Sequence, residues 1–390
     1  MWSKKIQFLY FLLFLIMSFP VVVISQTFTT HTITTSADEA HSVYAVDLDG
    51  DGDVDVLSAS GDDSKIAWYE NDGSESFTAH TITTSADDAQ SVYAVDVDGD
   101  GDIDVLSASE NDSKIAWYEN DGSESFTAYT ITTSASDVES VYAVDLDGDG
   151  DMDVLSASKA DSKIAWYEND GSESFTAHTI TTSADRAQSV YAVDVDGDGD
   201  IDVLSASEND NKIAWYENDG SESFTAHTIT TSADDAQSVY AVDLDGDSDI
   251  DVLSASANDN TIAWYENDGS ESFTTANIST SAEGASSVYA VDVDGDGDMD
   301  VLSASYNDNK IAWYKNDGSE SFTAATISTS AEGAESVYAV DLDGDGDMDV
   351  LSASASDDKI SWYEQLHSTW HVSTTGSDVM GNGSPAAPFA

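Results

Sequence analysis

Aspartates at alternate positions are the residues of this chain best suited to chemistry. Asp47, Asp49, Asp51, Asp53 and Asp55 stand in one nine-residue run, with Gly50 and Gly52 between them. Hard oxygen donors spaced this way, with a backbone carbonyl completing the set at the seventh place, suit a calcium ion collecting about six to eight oxygens. That carbonyl would belong to Asp53. Glycine reaches positive φ at little cost, so Gly50 and Gly52 let the run curl. Five carboxylates this close repel one another when no cation is present; a solvated acidic turn is the alternative. The run begins seven times, at Asp47, Asp96, Asp145, Asp194, Asp243, Asp292 and Asp341, each step 49 residues long. So regular a spacing marks one structural unit copied in tandem.

The neighbouring residues decide which calcium architecture is meant. An EF-hand needs a glutamate at its twelfth place and a helix on either side. Here that place is Ser58, and Val43–Val46 and Val56–Leu57 favour strands. The nine-residue glycine-rich repeats of calcium-binding β-helices have the wrong period. The remaining pattern, D-x-D-G-D-G-x-x-D between two strands, resembles the FG-GAP/VCBS repeats of integrin-α-like propellers. The resemblance covers residues 27–365. It implies that Asp47, Asp49, Asp51, Asp53 through its carbonyl, and Asp55 bind calcium. It implies the same for Asp96, Asp98, Asp100, Asp102 and Asp104; for Asp145, Asp147, Asp149, Asp151 and Asp153; and for Asp194, Asp196, Asp198, Asp200 and Asp202. The last three sets are Asp243, Asp245, Asp247, Asp249 and Asp251; Asp292, Asp294, Asp296, Asp298 and Asp300; and Asp341, Asp343, Asp345, Asp347 and Asp349. Up to seven Ca²⁺ are therefore expected. Ser248 replaces the second loop glycine in one copy. A side chain is penalised in a left-handed conformation, so the 243–251 site is expected to be the weakest.

Each unit holds four strand-like runs, in the first unit Ser42–Val46, Asp55–Ser60, Lys65–Glu70 and Ser76–Thr84, separated by turn signals. Four strands per unit is a propeller blade. The array opens on Phe28–Thr34, which matches the fourth strand Phe77–Thr83, and its last unit lacks a fourth strand. The predicted fold is therefore all-β: a seven-bladed propeller whose N-terminal strand completes the last blade and removes the exposed sheet edge. The Trp68 and Tyr44 series are expected in the inter-blade core. His31, His80, His178 and His227 share a fourth-strand place that elsewhere holds Tyr129, Ala276 or Ala325, so that place is expected to face solvent.

Composition narrows the partners. There are 77 acidic and 11 basic residues, for a net charge of −66, and no cysteine. Disulfides and thiolate metal sites are excluded. Nucleic acid, whose phosphates call for Lys and Arg, is an unfavourable partner, as is an anionic membrane surface. Lys4 and Lys5 followed by the apolar run from Ile6 to Met17 read as a secretory signal. Cleavage is expected before Gln26, an uncleaved anchor being the alternative. Residues 1–25 are thus assigned as signal, 26–365 as propeller, and 366–390 as a linker. The latter includes a stretch, 369–390, that resembles the opening of a parallel β-helix domain; a structureless tail is the alternative.

Positions that differ among the copies gather on the face opposite the acidic loops. They include His41, Lys159, Arg186 and Tyr306, expected to contribute to a partner surface, with neutral loop variation as the alternative. No singular nucleophile–base or acid–base pair stands out, because nearly every carboxylate is repeated. The expected function is a secreted, monomeric, non-enzymatic adhesion or recognition module for an extracellular protein or glycan. The alternatives are an accessory substrate-binding module of a secreted carbohydrate-active enzyme, and a structural spacer.

Overall fold

A computed structural model describes residues 26–172 and 174–366. The signal and the β-helix-like stretch lie outside the described residues.

The strand pattern of one unit sets the radial order of a blade. The first strand, Ala40–Val46, alternates buried and half-buried residues. The second, Asp55–Ser60, is buried throughout, and the third, Lys65–Asn71, nearly so. The fourth, Phe77–Thr83, has no buried residue and alternates between half-buried and exposed stretches. Sheets covered on both faces bury their middle strands throughout, here apolar residues interspersed with the small Ser58 and Ser60, and the rim strand needs only one covered face. Seven four-stranded antiparallel sheets result, six of them built from consecutive strands. The seventh joins Phe28–Thr34 to the last three strands, with Phe28 opposite Gln365 and His31 opposite Trp362. The expected closure by the N-terminal strand is therefore present.

The blades pack through shared apolar clusters. One cluster joins Leu57, Ile66 and Trp68 of the first blade to Ala89, Val92 and Tyr118 of the next. Trp68 also meets Phe126 edge-on at 6.5 Å, and Trp362 meets Phe77 at 6.4 Å across the closure. Each Trp is thus inter-blade core, as expected. Removing one such side chain would cost about 3–5 kcal/mol. The Tyr44 series goes further. Seven tyrosines, one per first strand, form a closed ring around the axis, their neighbouring centroids 4.8–5.0 Å apart.

Two readings need correction. The first strand begins at Ala40, not Ser42, because a β-bulge interrupts its pairing: Ala40 faces Ser60, and Ser42 faces Ala59. His41 is the extra residue. It therefore sits within the strand, half-buried, rather than ahead of it. The histidines of the fourth strand are also not simply solvent-facing. His80 stacks on Trp68 at 4.6 Å and bonds the Glu70 carboxylate at 2.8 Å, so it roofs the outer edge of the core.

Candidate metal centres

The acidic loops owe their shape to their own carboxylates. Asp47 accepts hydrogen bonds from the N–H groups of Gly50 and Gly52. Asp49 accepts from the Asp51 N–H, and Asp51 from the Asp53 N–H. Gly50 and Gly52 adopt φ of 75° and 101°, which closes the curl. Asp55, fully buried, is the latch. Its Oδ2 accepts the Leu48 N–H at 3.0 Å, and its Oδ1 accepts the Asn71 N–H at 2.8 Å. One carboxylate thereby ties the loop to the end of the third strand. The Asn71 amide then donates to the carbonyl of Val54 and to that of Leu342 in the neighbouring blade. The same bridge runs from Asn120 to Leu48, so loops and blades are locked together around the ring.

This arrangement brings three of the five aspartates of a loop together. Carboxylate oxygens of Asp47, Asp49 and Asp55 lie within 4.8 Å of one another, as do those of Asp96, Asp98 and Asp104, of Asp145, Asp147 and Asp153, and of Asp194, Asp196 and Asp202. The Asp51 and Asp53 side chains stand outside that set. The Asp53 carboxylate lies against Gly73 of the adjoining turn, where a Cβ would collide with it. Oxygen-only donors in this cluster fit a hard divalent cation. Burial pushes the latch carboxyl up, to about 6 in Asp55 and about 7 in Asp153. A bound cation would reverse that shift by favouring the charged form.

The sequence reading missed two contributors. The charge of Glu70, whose carboxylate bonds His80, adds to burial and to the nearer aspartates in raising the Asp49 pKa. In the sixth blade the corresponding residue is Lys315, whose ammonium pairs with Asp294 and reaches Asp296 at 3.0 Å. That loop therefore carries a cation from its own chain. The signal was a charge reversal at one place: Glu70, Glu119, Glu168, Glu217, Glu266 and Glu364 against Lys315. In the 243–251 loop, Ser248 does adopt a left-handed φ of 83° and still donates its N–H to Asp243.

On the opposite face, in the second, third and fourth blades the bulge residue of the first strand meets the residue that follows the second strand. Gln90 reaches Glu110 at 3.5 Å, Glu139 pairs with Lys159 at 2.9 Å, and Gln188 donates to Glu208 at 2.8 Å. Arg186 joins Glu208 at 2.6 Å. Of the four expected partner residues, Lys159 and Arg186 are thus ion-paired, His41 is half-buried, and Tyr306 is 42% exposed.

The comparisons with known proteins agree with this architecture. The FG-GAP-like repeat matches six overlapping spans, residues 47–107, 96–156, 145–205, 194–254, 243–303 and 292–352. A search of curated proteins finds no match. Among solved structures, a chain of the BBS1N–ARL6DN complex superposes with a TM-score of 0.60 at 13% identity, over 88% of this chain and 97% of that one. A protein from Lactobacillus plantarum gives 0.58 at 13% identity, over 77% and 91% of the two chains. A lectin from Agrocybe aegerita, described as recognising non-reducing terminal N-acetylglucosamine, gives 0.56 at 16% identity, over 75% and 81%. At these identities the likeness is one of fold. Six matched repeats on seven blades leave no ambiguity of family: the chain belongs to the FG-GAP-like repeat proteins, as a seven-bladed β-propeller.

Proposed function

We propose that this protein is a calcium-stabilised extracellular recognition module. The observation that carries the reading is the convergence of Asp47, Asp49 and Asp55, repeated in successive loops. Calcium at these places would neutralise repulsion among the carboxylates and stiffen one end of the ring. At 100-fold excess over its dissociation constant, each independent site adds about 2.7 kcal/mol. The stiffened ring would then present the divergent face to a protein or glycan, with Tyr306 as an exposed aromatic contact. The description of the Agrocybe lectin as a sugar-recognising protein supports a glycan among the ligands to be tried.

The test is a thermal melt of the full chain in EDTA and in millimolar calcium, with bound ions counted by calorimetry. A large upward shift with six strong sites is expected, the weak one being the Lys315 loop, whose aspartates already hold an ammonium, rather than the Ser248 loop expected from sequence. No shift and no stoichiometric binding would sink the reading. Glycan arrays and matrix proteins would then be screened against wild type and Tyr306→Ala, the variant being expected to bind at least several-fold more weakly.

A further inference from the structure

The copies provide an internal comparison for the divergent face, and the first blade meets it with a histidine opposite a glycine. In the second, third and fourth blades the bulge residue is paired with the residue after the second strand: Gln90 with Glu110, Glu139 with Lys159, Gln188 with Glu208. In the sixth blade Ser286 instead donates to the carbonyls of Ala304 and Ala334. In the first blade the bulge residue is His41, and the residue facing it is Gly61, which offers no side chain. His41 Nε2 is buried without a hydrogen-bond partner. Trp Nε1 and Ser Oγ atoms left this way recur from blade to blade, whereas the His41 atom occurs once, beside two carboxylates.

Gly61 is not there to relieve the backbone. Its φ lies outside the left-handed region, and the equivalent residues Glu110, Lys159, Glu208, Ala257, Tyr306 and Ala355 all carry side chains. What glycine does here is keep space open. A Cβ at Gly61 would stand 2.7 Å from Asp88 Oδ1 and 3.0 Å from His41 Nε2. Two carboxylates converge on the same place. Glu39 and Asp88, the equivalent turn residues of the first and second blades, each offer an oxygen within 4.8 Å of the other's and of a His41 ring nitrogen. Gln90 donates to Asp88 Oδ1 at 2.7 Å, fixing that carboxylate as an outer-sphere partner would. Both turns are also held by backbone bonds, from the Gly61 N–H to the Glu39 carbonyl at 3.0 Å and from the Glu110 N–H to the Asp88 carbonyl at 2.9 Å.

We propose that Glu39, His41 and Asp88 form a single divalent transition-metal site of the zinc class at the junction of the first two blades. The site is distinct from the acidic loops on the other face. An imidazole nitrogen beside two carboxylates selects zinc-like ions over calcium, which takes oxygen donors. No other blade could make it. The counterparts of Glu39 include Arg186, Gly284 and Gly333, and none of the other bulge residues is histidine. Three protein ligands leave a coordination position for water or for a donor atom of a bound partner.

The test uses the full chain in millimolar calcium, dialysed against Zn²⁺ and, for its visible spectrum, Co²⁺. The variants are His41→Gln and Gly61→Ala, each borrowing a residue that sister blades already carry. Melting in calcium without zinc establishes that each is folded. Wild type is expected to hold one more equivalent of zinc than His41→Gln, and its cobalt spectrum to show a nitrogen ligand. Both variants are expected to lose at least 100-fold in affinity for that equivalent. Zinc taken up equally by wild type and His41→Gln belongs to the acidic loops and overturns the proposal. So does a wild type that retains no zinc.

Discussion

The two ends of this ring treat repetition differently. At one end, seven acidic loops keep nearly the same nine residues. At the other, His41, Gln90, Glu139, Gln188, Gln237, Ser286 and Glu335 occupy one structural position with four different residue types. The loop end has little freedom, because Asp55 satisfies two buried N–H groups while sharing an oxygen cluster with two other aspartates, as Asp104, Asp153 and Asp202 do. The bulge end asks only that the side chain find some partner. Uniformity therefore follows from a shared geometric requirement. Departures from it, Lys315 at one end and His41 with Gly61 at the other, are the informative residues.

The largest effect should come from breaking the latch. Asp153→Ala leaves the Leu146 and Asn169 N–H groups unpaired in a buried place. That should cost about 3–5 kcal/mol. The loss should appear in EDTA as well as in calcium, because the pairing needs no metal. Asp147→Ala, a change at a more open loop position, should lose stability mainly in calcium. Equal losses for both variants in both conditions would show that latch and ligand roles are not separable. Next in size is Lys315→Glu, which restores the residue of the other six blades. It should raise the number of tightly bound calcium ions by one and add about 2–3 kcal/mol at saturating calcium. In EDTA it should destabilise, since Asp294 and Asp296 lose their ammonium partner. An unchanged ion count would mean that the sixth loop does not differ from the others in metal binding.

The divergent end makes a prediction about pH. Burial pushes the Glu335 carboxyl from the usual 4.5 to about 7, helped by Glu139 and Glu39 and opposed by Lys159. Burial raises Glu139 to about 7 as well, although Lys159 pairs with it. A folded-state pKa above the unfolded value means a contribution that is complete below about 4.5 and lost as pH rises through about 7. In saturating calcium, stability should therefore fall between pH 5 and pH 8 by about 2 kcal/mol per glutamate. Glu335→Gln should flatten its share of that fall. A variant with the wild-type slope would show that Glu335 ionises freely.

Most of the fold was legible because a fixed 49-residue step reveals strands, turns and phase together, and because the orphan strand Phe28–Thr34 announces the closure. The loop aspartates were legible for the same reason. What stayed hidden depends on contacts between copies or on pairing register. The Asn120 amide reaches Leu48 across 72 residues, and nothing in either local sequence signals it. The bulge that brings His41 into the strand is a one-residue slip in pairing, invisible to an alternation pattern. Lys315 was visible as a letter, but its meaning needed the proximity of the third-strand end to the loop. His80 was discounted because its place tolerates alanine, yet stacking on Trp68 is a contact that alanine forgoes without opening the inner core.

The smallest of these effects separates two causes of a weak loop. Ser248 and Lys315 each mark one loop as unusual, the first through the backbone and the second through charge. Ser248 adopts φ of 83°, where its counterpart Gly52 adopts 101°, and both N–H groups bond the first loop aspartate. The serine loop therefore keeps its shape and carries conformational strain. Ser248→Gly should relieve about 1 kcal/mol of that strain. Part of the gain will be offset by the greater freedom of glycine in the unfolded chain. The gain should appear equally with and without calcium, because it belongs to the peptide conformation rather than to the ion. A gain seen only in calcium would instead place the defect in the ligand geometry, and the 243–251 loop would then rank with the 292–300 loop as a site impaired in binding.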